Sequence, residues 1–233
     1  MSGVLSGIGV GPGDPDLITL KALKALRRAA VVAYPAPPEG ESLARSIAAP
    51  HLPGGQEEIA IRMSLEPARF PAAEVYDEAA ATLGLRLEAG HDVAVLCEGD
   101  PFVYGSFLYL FERLAGRHRV EVIPGVSSPM ACAAALGLPL AARNDVLALI
   151  PAPLDAQRLT AQLANCEAAA IVKLGRHLEK VRRVLAGLGL LERAHYVERA
   201  SMAAERVLPL AAVEPPAPYF SMAIVHRRGA AWR

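Results

Sequence analysis

"GIGVGPGDP", residues Gly7 to Pro15, sets four glycines behind an apolar run and closes on Asp14 and Pro15. A glycine-rich turn after a buried strand is how nucleotide-binding α/β folds begin, so its spacing decides which ligand the fold is built for. A dinucleotide fingerprint reads G-x-G-x-x-G, and its third glycine allows close packing of helix on strand. Counted from Gly7 and Gly9 that third place is Pro12, and counted from Gly9 and Gly11 it is Asp14. A phosphate loop also needs Lys followed by Ser or Thr, whereas Asp14 carries a charge that repels pyrophosphate. The glycines are expected to let backbone approach a ligand closely, and that ligand is not a phosphate.

The same grammar returns at "DVAVLCEGDPFVYGSF", Asp92 to Phe107, where an apolar strand runs into Gly99-Asp100-Pro101. A third instance, "VEVIPGVSS", ends on Pro124-Gly125 and two serines, of which Ser128 suits a helix N-cap and Pro129 the first helical position. A single Gly-Asp-Pro is an ordinary turn, with Asp bonding its own backbone and Pro presetting φ. Its recurrence after two apolar strands, joined by a serine turn, favours a ligand site. If these strands are parallel, the three turns lie at their carboxyl ends, where open α/β sheets bind ligands. Carboxylates, exposed amides and hydroxyls suit a ligand with a positive charge, a carboxylate and a ribose; S-adenosylmethionine has those groups.

The 233 residues are 53% hydrophobic and 21% charged, enough to bury a substantial core. With 24 basic and 24 acidic residues the formal net charge is zero, which argues against nucleic-acid binding, where basic excess supplies the affinity. Cys97, Cys132 and Cys166 are odd in number and widely spaced, and the six histidines show no ligand spacing, so no disulfide framework and no metal site is expected. "MSGVLSGIG" lacks the pattern of a signal peptide, and a cytoplasmic location is expected. Residues 122 to 142 carry no charge, but Pro124, Gly125, Pro129, Gly137 and Pro139 cut them into a buried turn-helix-turn, with no membrane span.

Short apolar runs alternate with helical patterns, which predicts an α/β fold with a largely parallel sheet. Strands are expected at Val4–Gly9, Ala30–Tyr34, Val93–Cys97, Val120–Ile123, Val146–Ile150 and Ala169–Leu174. Helices are expected at Pro71–Glu88, Tyr104–Leu114, Asp155–Leu163 and Arg176–Leu185. "AHYVERA", "ERVLPLA" and "PYFSMAIVHR" read as short strands of a mixed or antiparallel portion. A boundary at "PGVSS" divides the chain into an N-terminal α/β domain, residues 1–124, and a C-terminal α/β domain, residues 125–233.

"GVGPGDPDLITLKAL", "EGDPFVYGSF", "PGVSS", "IVKLGRHL" and "PYFSMAIV", in this order, resemble the tetrapyrrole methylases, S-adenosylmethionine-dependent enzymes of corrin and sirohaem biosynthesis. Within the family, "AYPAP", "CEGDPFVYGSF", "KLGRHL" and "ERASMAAERV" are most similar to the branch that methylates carbon 20 of precorrin-2. The resemblance implies two α/β domains with the cofactor in the cleft between them, usually in a homodimer. It implies cofactor contacts at Pro12, at Gly99, Asp100 and Pro101, at Tyr104, Gly105 and Ser106, and at Ser127 and Ser128. Further contacts are implied at Val172, where relatives often carry Met, at Ala200 and Ser201, and at Met222 and Ala223.

The implied substrate bears several carboxylates, so two-pronged cations should grip it, and Arg62, Arg143, Lys173 and Arg176 are the candidates beside strand ends or loops. Tyr34 is a candidate to stack on the macrocycle. Asp14, Glu98 and Asp100 are the carboxylates placed to handle a proton, and Asp100 is equally a cofactor ligand or a turn former. The metal-free tetrapyrrole is expected as substrate, with its cobalt-bearing counterpart as the alternative. Two other classes stand against this: a nicotinamide oxidoreductase, which Pro12 and Asp14 disfavour, and a binding module without a cofactor.

Overall fold

Strand β1, Val4–Gly9, is buried along nearly its whole length because it is the inner strand of a sheet covered on both faces. The computed structural model describes residues 2–63 and 73–229, and the chain divides into two compact units, residues 1–127 and 128–233.

In the first unit β2 (Val31–Ala36), β3 (Glu57–Arg62), β4 (Val93–Cys97) and β5 (Arg119–Ile123) join β1 in the order β3-β2-β4-β1-β5. Every pairing is parallel, so both faces must be covered by crossover helices. Helices α1 (Leu20–Arg28) and α2 (Leu43–Ala48) cover the face that carries Ile8, Val32, Ala94 and Leu96. Helices α3 (Ala73–Glu88) and α4 (Phe107–Leu114) cover the face that carries Leu5, Ala33, Val95 and Cys97. Thr19 starts α1 by accepting a hydrogen bond from the amide of Ala22, and Ser42 starts α2 through the amide of Arg45.

The second unit opens with α5 (Ser128–Leu136). Its sheet has the order β6-β7-β10-β8-β9, built from β6 (Leu147–Pro151), β7 (Ala168–Val172), β8 (Ala194–Glu198), β9 (Arg206–Pro209) and β10 (Ser221–His226). Only β6 and β7 run parallel; β10 pairs antiparallel with β7 and β8, as β8 does with β9. Helices α6 (Ala156–Ala164) and α7 (Leu178–Gly187) pack with Ile171, Ala223 and Val225, whereas α5 packs on the other face with Val172, Met222 and Ile224.

The expected strands are present, and β1 and β4 have the expected bounds. The tail is antiparallel as read. Elsewhere backbone conformation moves the ends. Helix α4 starts at Phe107 and not Tyr104, because Tyr104 takes φ 57° and a Cβ on Gly105 would lie 2.4 Å from the carbonyl oxygen of Pro101. Strand β7 stops at Val172 because Lys173 takes φ 58°. Strand β2 continues through Pro35; past Ala33 it lacks a β4 partner, the edge setting in which a strand proline costs no ladder bond. Elements α1, α2 and β3 lie outside the predicted set. Pro71 and Ala72, the expected start of helix α3, lie outside the described residues. Helix α5 is less covered than expected, with Met130 54% exposed. Among the described residues no helix is long and apolar enough to cross a membrane.

Candidate site at the carboxyl ends of the strands

The register of the first sheet sets Gly9 level with Cys97 and Ile8 level with Ile123, so β1, β4 and β5 end together. The three turns that follow meet one another. The amide of Gly99 donates to the carbonyl of Gly11 at 2.8 Å, and the amide of Val10 to that of Cys97 at 3.0 Å. A Cβ on Gly9 would lie 2.5 Å from the Gly125 nitrogen, and one on Gly125 would lie 2.1 Å from the Gly99 carbonyl oxygen. Gly7 faces the ring of Phe107, which would sit 2.4 Å from an added Cβ. This corrects the expectation that the glycines are there for a ligand: Gly7, Gly9 and Gly125 let protein pack on protein, and Gly99 supplies φ 67°. The result is a rigid crossing of three turns at one sheet edge.

The acidic residues are part of that crossing. Asp100 Oδ1 accepts from the amide of Phe102 at 2.9 Å and Oδ2 from that of Gly125 at 3.1 Å, so one carboxylate ties the second turn to the third. Asp14 Oδ1 accepts from the amide of Asp16 at 2.9 Å and caps the short 3₁₀ turn Pro15–Leu17. Pro12, Gly99 and Pro101 are buried, Ser127 is half-buried, and Ser106 shares a side-chain hydrogen bond with Tyr76. Tyr104 stands 49% exposed beside Phe102 and Val103, at 51% and 40%. That exposed apolar run is a feature the sequence reading passed over; its signal is three large apolar residues in a turn. The ring of Phe102 is held edge-to-face on Phe111, 5.3 Å between centroids.

Glu98 follows β4 on the face of Ala94 and Leu96. Burial pushes its carboxyl above the ordinary carboxylate range, opposed by amide bonds that include one from Ala44 in the first turn of α2. Burial and the neighbouring Glu98 charge also push the Cys97 thiol far up, so this thiol stays protonated.

In the second unit Met222 lies opposite Val197 and Ser221 opposite Glu198, while β10 and β7 pair at Ala223 and Ile171. The ends of β7 and β8 and the start of β10 therefore share one edge, which brings together Val172, Ala200, Ser201 and Met222. The side chains of Val172, Ala200 and Met222 belong to one buried cluster with Ala131 and Cys132, beneath α5; Ser128 is the exposed first residue of that helix. Ala223 has its side chain on the opposite face. Lys173 at φ 58°, Arg199 at φ 50° and Ser201 at φ 63° hold left-handed conformations in the turns at this edge, and such strain gathers where a fold shapes a site. The Ser201 amide donates to Glu205 Oε2 at 2.6 Å. Buried Glu198 anchors the same turn through Arg199 at 3.2 Å and Tyr196.

The candidate cations of the second unit lie at two ends of its sheet. Lys173 and Arg176 follow β7 and are exposed at its carboxyl end. Arg143 lies at the other end of the sheet, because Asp145 accepts from the amide of Ala142 at 2.9 Å and from His226, opposite Ala168, at 3.2 Å. In the first unit Arg62 spends its guanidinium on the carbonyls of Pro37, Pro38 and Gly40, at 2.9, 3.5 and 3.4 Å. The Tyr34 hydroxyl donates to Glu58 at 2.9 Å, and Arg45 grips the same carboxylate with two bonds at 3.0 Å. Burial and then the Glu58 bond raise the Tyr34 hydroxyl above its usual range.

Known proteins share this fold and much of this sequence. The family described as Tetrapyrrole (Corrin/Porphyrin) Methylases matches residues 4–214. The chain belongs to the tetrapyrrole methylases. It is 44% identical over 232 residues to the cobalamin biosynthesis protein CobIJ of Mycobacterium tuberculosis, covering 96% of this chain and 46% of that protein. The chain thus spans about half the length of that relative. It is 40% identical to a precorrin-2 C(20)-methyltransferase of a Sinorhizobium species over 97% of each chain. It is 32% identical to the cobalt-precorrin-2 C(20)-methyltransferase of Salmonella typhimurium over 98% of each. The crystal structure of a uroporphyrin-III C-methyltransferase from Thermus thermophilus, complexed with S-adenosylhomocysteine, superposes with a TM-score of 0.69 at 26% identity, covering 96% of this methylase and 97% of that chain.

Proposed function

We propose that this methylase transfers the methyl group of S-adenosylmethionine to carbon 20 of precorrin-2, giving precorrin-3A in cobalamin biosynthesis. The observation that carries the reading is end-to-end similarity, 40% over 97% of both chains, to a relative named for that activity. The residues present fit the methyl donor. Acidic turns meet a sulfonium favourably and lack the Lys-Ser pair of a phosphate cradle. When bound, S-adenosylmethionine supplies a methyl group already activated on sulfur.

The chain's own part is to hold and align. Pro12, Gly99, Asp100, Pro101, Tyr104, Gly105, Ser106 and Ser127 in the first unit, with Ser128, Val172, Ala200, Ser201, Met222 and Ala223 in the second, are the proposed cofactor contacts. Because Asp100 is bonded to two amides, its part is to fix the turn that carries Gly99 and Pro101. Asp14, Tyr34, Lys173 and Arg176 are the proposed substrate contacts, of which exposed Lys173 and Arg176 are best placed for carboxylates; Arg62 is spent on three carbonyls, and Arg143 stands at the opposite edge of its sheet from Lys173. Aligning two reactants lowers the barrier by about 7–11 kcal/mol, so positioning is the main contribution asked of the protein. Residues 1–124 and 125–233 act as the two domains of this machine, a homodimer in the cytoplasm.

The cobalt-bearing substrate is the second reading, favoured by the 32% identity to the cobalt-precorrin-2 enzyme. Purified protein incubated with S-adenosylmethionine and each tetrapyrrole in turn decides between them. A gain of one methyl group by mass on metal-free precorrin-2 is expected. A gain on the cobalt compound alone selects the second reading, and no gain on either rejects both.

A further inference from the structure

Three carboxylates stand at the ends of β1 and β4, and each accepts from backbone amides. Asp14 caps a turn, both oxygens of Asp100 are bonded to amides of its own and the next turn, and Glu98 accepts from its own amide and from that of Ala44. Glu98 differs in its place, at the very end of the strand. It leaves the sheet directly before Gly99, half-buried and so not sealed from a ligand, on the face lined by Ala94 and Leu96 and packed by α2. Its partner outside its own residue is the amide of Ala44. The charged group that α2 brings near, Arg45, is neutralised by Glu58. On β4 itself the Cys97 thiol lies on the opposite face, and Asp100 follows on the turn. No cation among these neighbours is engaged with Glu98.

From this geometry we propose that Glu98 is a catalytic residue of the methyl transfer, the group that takes the proton from the carbon being methylated. The inference rests on the function proposed above. In that reaction an electron pair of the macrocycle attacks the methyl carbon, so a C–C bond forms while the S–C bond breaks and its pair stays on sulfur as the neutral thioether. The same ring carbon then loses its hydrogen. The C–H pair returns to the macrocycle, and the proton passes to the Glu98 carboxylate. No oxidant or reductant is needed. A carboxyl raised by burial above the ordinary carboxylate range is suited to accept and then release that proton.

The test compares wild type, Glu98→Gln and Glu98→Asp with S-adenosylmethionine and precorrin-2. The glutamine keeps an acceptor for the Ala44 amide, so a purely structural role leaves its turnover within threefold. The proposal expects a fall in kcat of about 10²–10⁴-fold, the usual range for a lost general base. It also expects S-adenosylhomocysteine affinity within twofold and loss of the acidic limb of the wild-type pH profile. A Glu98→Gln enzyme that keeps its kcat, or keeps the acidic limb, overturns the proposal. Should the glutamine variant fail to fold, Glu98→Asp must lose at least tenfold in kcat while retaining that limb, and unchanged kcat overturns it. Wild type that methylates neither tetrapyrrole overturns the proposed function and this inference with it, an outcome distinct from an active enzyme indifferent to Glu98.

Discussion

Glycine at positions 9, 99 and 125 is what allows three turns to occupy one sheet edge. Gly125→Ala keeps an accessible backbone conformation but drives a methyl group to 2.1 Å from the Gly99 carbonyl oxygen. Overpacking of that kind costs up to about 3 kcal/mol, so urea denaturation is expected to show a loss near that limit, together with weakened S-adenosylhomocysteine binding. Gly116→Ala is the matched control, since nothing lies within 4 Å of its added Cβ, and its stability should stay within about 0.5 kcal/mol of wild type. A Gly125→Ala protein as stable as this control would mean that the turns do not cross as described. At this scale the spacing of glycines in the sequence announced an unusual turn, but not what each glycine touches. The partner of Gly9 is Gly125, far along the chain, and no local pattern records it.

At the scale of elements, side chains fasten ends that the backbone ladder leaves loose. Arg62 at the end of β3 holds the β2–α2 connection through three carbonyls. Arg62→Ala should therefore speed amide hydrogen exchange at Glu39, Gly40 and Glu41 while β3 stays protected; unchanged exchange there would show that the guanidinium is not a clamp. Asp145 does the corresponding work between the start of β6 and the end of β10. The Ala142 amide first, then Arg228 and His226, hold its carboxyl down at about 2 from an ordinary 3.8. A carboxyl depressed in the folded state contributes stability that is present above its unfolded value and is lost on acidification. Stability should thus decline as pH falls from about 4 to about 2, and Asp145→Asn should flatten that part of a denaturation-midpoint profile. A variant with the same acid slope as wild type would remove Asp145 from the account. The element ends also explain the boundary differences: helix α4 and strand β7 are cut at Tyr104 and Lys173, whose left-handed backbone is not visible in side-chain periodicity.

For the whole molecule, a ligand that binds only the folded chain must stabilise it, by about 2.7 kcal/mol at a hundred times its Kd. S-adenosylhomocysteine is expected to raise the thermal midpoint progressively with concentration, and NADH to leave it unchanged; the reverse pattern would restore the oxidoreductase class. Every strand but β3, the recurrent turns and membership of the tetrapyrrole methylases were legible in the amino-acid order, because alternation, turn chemistry and motif succession are properties of neighbouring residues. Folding alone settled how those turns are used. It turned Asp100 into a brace between two loops, sent Arg143 to the edge opposite Lys173, and set Glu98 half-buried beside α2. Each of these depends on which distant segment packs against which. That is fixed by sheet register and burial acting over the entire chain, and a short window of sequence carries no information about it.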